Sequence, residues 1–170
     1  AICAVMLLFA VSIQPLPGYA AEKAEVWGED TNVLQYERFY IAGQPDEVAL
    51  QEADQNGVSV VISLRSESEL DWDEKAVSES MGQAFYQVPV NSRSDNLAPG
   101  PFDQITEIVA ANPDAKIMVH CGSGNRAAAW LAVYLSEEEG MAPDEAIAVA
   151  RENGLTNKGL EDKVRTYLNP

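Results

Sequence analysis

A short segment of this chain brings together a thiol, a run of glycines and a guanidinium: Cys121-Gly122-Ser123-Gly124-Asn125-Arg126. It follows Lys116 to His120 (KIMVH), a run with the length and apolar content of a buried strand. A turn rich in glycine lets backbone N–H groups converge on one point, and a helix opening at Arg126 adds its positive end. A cysteine in that ring is set up as a nucleophilic thiolate, and the same ring with Arg126 is set up to hold an oxyanion. The plainer reading of Cys121 is a small buried hydrophobe; the glycines and Arg126 speak against it. His120 either positions and acidifies the thiol or is a core histidine bonded to backbone. Apart from Cys3 and Cys121 there is no cysteine, and His120 is the single histidine. A structural zinc cluster therefore cannot be assembled, and no metal or other cofactor is expected.

The elements that must position this loop are legible as an alternation of strands and helices. Residues 21–35 read as a polar lead-in, and 36–42 (YERFYIA) as an edge strand. Gly43-Gln44-Pro45-Asp46-Glu47 starts a helix that Asn56-Gly57 stops. Val58 to Leu64 is a β-branched central strand, followed by an acidic helix over about 69–81 and a third strand over 84–90. The loop 91–101 (NSRSDNLAPGP) leads into an apolar helix carrying Phe102, Ile105, Ile108 and Val109. After the cysteine loop come helices over about 126–139, 143–153 and 157–168. Alternating elements predict an α/β fold with a mostly parallel central sheet flanked by helices. In such sheets ligands sit beyond the carboxyl ends of the strands, where Cys121 falls.

Strand, His-Cys, glycine-rich turn, Arg and helix together resemble the active-site loop of the cysteine-dependent tyrosine and dual-specificity phosphatases. Val60 to Arg65 (VVISLR), with Glu69 close behind, is similar to that group's strand ending in Leu-Arg. With Gly43-Gln44-Pro45 it looks like the bacterial phosphatase-like, or β-lactamase-hydrolase-like, branch. The likeness runs over about 36–168 and implies a dual-specificity-phosphatase-like domain over 36–170. It implies Cys121 as nucleophile and Gly122, Ser123, Gly124, Asn125 and Arg126 as the cradle of the substrate oxyanion. In that cradle Arg126 binds two oxygens, His120 supports the thiol, and phosphoryl passes to sulfur and then to water. Arg65 supports the site either by touching substrate or through an ion pair with Glu69. The group's general acid is an Asp on the loop after the third strand, which implies Asp95, with Asp103 farther on inside a helix; a turn Asp is the plainer reading of Asp95.

Two departures qualify the likeness. Four residues separate Cys121 from Arg126, one fewer than in the phosphatases, and the string is close to the rhodanese loop, which carries sulfur as a cysteine persulfide. Ala127 stands where the phosphatases usually carry a hydroxyl that helps the thiolate leave. Three functions follow: phosphomonoester hydrolysis, including phosphotyrosine-like substrates; sulfur transfer through a Cys121 persulfide; or a catalytically silent anion-binding module.

Residues 1–20 are uncharged and largely apolar, with small residues before Ala21, and read as a signal peptide. That predicts a periplasmic or secreted protein, with no membrane partner once the leader is removed. A net charge of −16 disfavours nucleic acid and anionic membranes. The expected partner is a small anionic or phosphorylated substrate; oligomeric state is not legible.

Overall fold

A computed structural model of the chain describes residues 23–169. The expected signal peptide, 1–20, lies outside the described residues. The strands are β1 (Lys23–Trp27), β2 (Thr31–Tyr36), β3 (Phe39–Ala42), β4 (Val58–Ser63), β5 (Ala84–Gln87) and β6 (Lys116–His120). The helices are α1 (Glu47–Gln55), α2 (Glu74–Ser80), α3 (Pro99–Ala111), α4 (Asn125–Glu137), α5 (Pro143–Glu152) and α6 (Lys158–Leu168). The strands form a single sheet in the order β1-β2-β3-β6-β4-β5. β3, β6, β4 and β5 run parallel, and β1 and β2 add an antiparallel hairpin at the edge. This is the expected α/β fold with a mostly parallel, helix-covered sheet.

Three local expectations are corrected. Residues 21–35 are more than a lead-in, since β1 and most of β2 fall there and extend the sheet. The segment 36–42 is not an edge strand: β3 lies between β2 and β6, and all four of its residues are buried. Its polar Glu37 and Arg38 belong to a hairpin turn, with Glu37 at φ 50°. Finally, the acidic helix begins at Glu74 rather than 69, because a 3₁₀ turn over Glu67–Glu69 comes first and Asp73 caps the helix by accepting the Ala76 N–H.

Alternation along the buried strands feeds two cores. Ile41, Ile62, Ile117 and Val119 pack with α3 to α6 on one face, while Tyr40, Val61 and Met118 pack with Ala49, Leu50 and Ala53 of α1 on the other. α4 is the central helix. Its Trp130 is fully buried with Phe39 edge-on at 5.3 Å, so the Trp130 region is packing. Period two then sends His120 to the face covered by α1 and α2, whereas Cys121 packs with the other core.

Candidate active site

The C-terminal ends of β6 and β4 open into a cleft of about 760 Å³. Cys121, Gly122, Ser123, Asn125 and Arg126 form part of its wall, with Ser66, Glu69, Val90 to Arg93, Asn157, Leu160 and Lys163 around them. Cys121 is buried, and its Sγ accepts the Gly124 N–H at 3.1 Å. Gly124 can offer that N–H because it sits at φ +86°, the left-handed region that suits glycine, where it caps α4.

The loop is held from two sides. The Cys121 N–H reaches Ala42 O at 3.3 Å, and Gly122 O accepts the Gln44 N–H at 3.2 Å. Gly43 and Ser123 form an isolated antiparallel bridge. From the other side, Asn125 Oδ1 accepts the N–H groups of Thr156 and Asn157 at 2.8 and 2.7 Å, tying the loop to the start of α6. The Asn125 side chain is thus committed to structure, and its share in an oxyanion cradle is limited to the backbone.

Arg126 enters the cleft half-buried and is held there by Leu64, Val90 and Glu69. Its Nη1 donates to Leu64 O at 3.0 Å, Val90 O at 3.2 Å and Glu69 Oε2 at 3.1 Å; its Nη2 donates to Glu69 Oε1 at 2.7 Å. The hydrogen bond from Arg126 holds the Glu69 carboxyl at about 2, against a burial effect that raises it. For Arg126 itself burial lowers the pKa, and Glu69 together with the adjacent Cys121 outweighs burial, leaving it raised. The guanidinium therefore stays charged beside the thiol.

The structure brings the expected Cys121, Gly122, Ser123, Asn125 and Arg126 to one cleft, but not Asp95. That residue is exposed in the loop 91–98, whose contribution to the cleft wall runs from Asn91 to Arg93. Nor does Arg65 line the cleft. It donates to Gln44 Oε1 at 2.7 Å and to the Glu69 backbone oxygen, and its Nε lies 3.9 Å from Glu69 Oε1. The expected Arg65–Glu69 ion pair exists, but the closer claim on that carboxylate is Arg126's. Ala127 is fully buried, so no hydroxyl stands in its place.

One residue was missed altogether. Glu74, the first residue of α2, is 1% exposed and places Oε1 2.6 Å from His120 Nε2. In the sequence it is one more acid among Asp71, Asp73 and Glu79; only the fold turns it inward. Among the described residues, no group of three or more His, Cys, Asp or Glu side chains is arranged to hold a metal ion, and no helix is long and apolar enough to cross a membrane.

No protein-family model and no curated protein sequence matches the chain. Solved structures do. A DUF442 candidate phosphatase from Shewanella putrefaciens is 20% identical, with 88% of each chain covered and a TM-score of 0.64. TpbA of P. aeruginosa is 16% identical, covering 81% of this chain and 83% of that one, at a TM-score of 0.65. Tk-PTP is 19% identical over 77% of this chain and 90% of that one, again at 0.65. These neighbours are of the cysteine-dependent tyrosine and dual-specificity phosphatase type, and this chain has their fold.

Proposed function

We propose that the protein is a cysteine-dependent phosphatase acting on phosphomonoesters in a compartment outside the cytoplasm. The observation that carries this is the cleft floor. There a buried Sγ accepts a backbone N–H at 3.1 Å and lies beside a guanidinium fixed by Glu69. The Gly124 N–H and the N-terminus of α4 are both directed at Cys121, in line with a nucleophilic sulfur. The thiolate sulfur attacks phosphorus, the P–O bond to the leaving group breaks with its electron pair staying on oxygen, and a phosphocysteine forms. Water then attacks phosphorus, releasing inorganic phosphate and restoring the thiolate. Loop N–H groups and the Arg126 fork offset the charge on the equatorial oxygens.

Glu69 is the carboxylate of the cleft wall, and at about 2 it holds no proton to give at neutral pH. Turnover on this reading is best for leaving groups that are stable as anions, such as aryl phosphates. A TpbA variant has been solved with phosphotyrosine, which is consistent with an aryl ester. Sulfur transfer through a Cys121 persulfide is favoured by two observations: the four-residue spacing to Arg126 and the buried methyl of Ala127. An aryl phosphate, and separately thiosulfate with cyanide, given to the purified protein and to C121S decides between them. Phosphate release lost in C121S supports hydrolysis. Thiocyanate formation without phosphate release replaces it with sulfur transfer.

A further inference from the structure

The Glu74 and His120 side chains are both 0% exposed and meet at 2.6 Å in the layer beneath α1 and α2. A carboxyl oxygen and a ring nitrogen that close, away from water, form a buried polar pair. The other Glu74 oxygen, Oε2, accepts from Gln44 Nε2 at 3.1 Å. Gln44 is itself a junction. Its backbone N–H holds Gly122 O, and its Oε1 accepts from Arg65, which donates onward to the Glu69 backbone oxygen. The Glu69 carboxylate grips Arg126.

A continuous polar chain therefore runs from His120, just before the cysteine, to Arg126, at the far end of the loop. Glu74 is the buried carboxyl group at its root. Burying such a group is costly unless it is paired, and a hydrophobic residue at this position of α2 would pack at no such cost.

We propose that Glu74 is the positioning residue of this site, setting the ring of His120 and, through Gln44, the opening of the loop, so that Cys121 and Arg126 stay in reactive register. This rests on the cysteine-nucleophile reading but not on which group the thiol transfers. Ser63, which pairs in register with His120 across β4 and β6, and Ser78, one turn along α2 from Glu74, are also fully buried. The charged groups that face Cys121 itself are Arg126 and, behind it, Glu69.

The test is iodoacetamide alkylation of Cys121 as a function of pH, in wild type, E74Q, H120Q and the double variant, each checked for native circular dichroism. Because alkylation reads the thiolate directly, wild type that alkylates readily yet releases no phosphate would defeat the phosphatase reading alone. E74Q is expected to slow alkylation at neutral pH about tenfold and to move the half-maximal rate to higher pH. The double variant should be no slower than H120Q. Wild-type rates and midpoint in E74Q, or effects of E74Q and H120Q that simply add, overturn the proposal. Should E74Q fail to fold, E74D keeps the carboxyl group but draws it back by one methylene. Partial loss of reactivity in E74D supports the role, and full wild-type reactivity overturns it.

Discussion

Glu69 and Arg126, one on a 3₁₀ turn after β4 and the other at the start of α4, meet as a two-pronged pair with N–O distances of 2.7 and 3.1 Å. The pair leaves the guanidinium little freedom, so a substrate oxyanion meets a donor already in place. In E69Q one charge-assisted bond is lost and the fork loses its anchor, which at about 1.5–3 kcal/mol implies a fall of about 10- to 100-fold in kcat/KM. Steady-state kinetics on an aryl phosphate measures it; an unchanged kcat/KM would remove Glu69 from the machinery.

Acid should loosen the fold at two places at once. The Glu69 carboxyl is held at about 2 by Arg126, and that of Glu161 at about 2 by Arg151, with Lys158 adding to it. Both lie below the ordinary value of 4.5. A lowered folded pKa contributes stability that is fully present above the ordinary value and is lost as pH falls through the folded one. Thermal melts should therefore drop between about pH 4.5 and 2. The drop should be shallower in E161Q, which removes the α5–α6 pair, and shallower again in E69Q/E161Q. Identical slopes in all three proteins would contradict this assignment.

Gly124 is the backbone position that most directly serves the thiol. A Cβ there meets Ala42 C and O at 3.6 Å, an ordinary contact, so G124A is strained by its φ of +86° rather than by crowding. The expected cost is about 1–2 kcal/mol of stability. The N–H that Sγ accepts should also be displaced, so activity falls further than stability does. Denaturant unfolding and kinetics on the same sample separate the two effects.

Asp95, exposed and off the cleft wall, should be dispensable with poor as well as good leaving groups. D95N is expected to keep kcat within about twofold, against the loss of about 10²-fold or more that removal of a general acid implies. A large loss confined to poor leaving groups would restore Asp95 as the acid and show that its loop closes over bound substrate.

The parts of this molecule legible in sequence are those where local chemistry and fold agree. Pro45 and Asp46 announce α1, the β-branched run announces β4, and the glycines after Cys121 announce a turn that binds anions. Missed features depend on distant partners. Glu74 sits in an acidic stretch whose other members cap or face water, and its inward turn is set by the packing of α2 on the sheet. Likewise β1 (KAEVW) reads as polar because it is an edge strand, with Val26 61% exposed, and only pairing with β2 makes it a strand at all. Asp95 is the opposite case: likeness alone matched a loop position that stands exposed, off the cleft wall.

The place of β6 in the sheet bears on how the molecule is made. Strands β3 and β4 are consecutive in the parallel part of the sheet but do not touch; β6 lies between them and pairs with both. During synthesis, everything up to Pro113 can leave the ribosome only as two half-sheets lacking their seam. The seam and the reactive cysteine then arrive together, in adjacent residues. Closing the sheet thus places Cys121 at the end of its seam, while the ties from Asn125 to Thr156 and Asn157 wait for the chain up to α6.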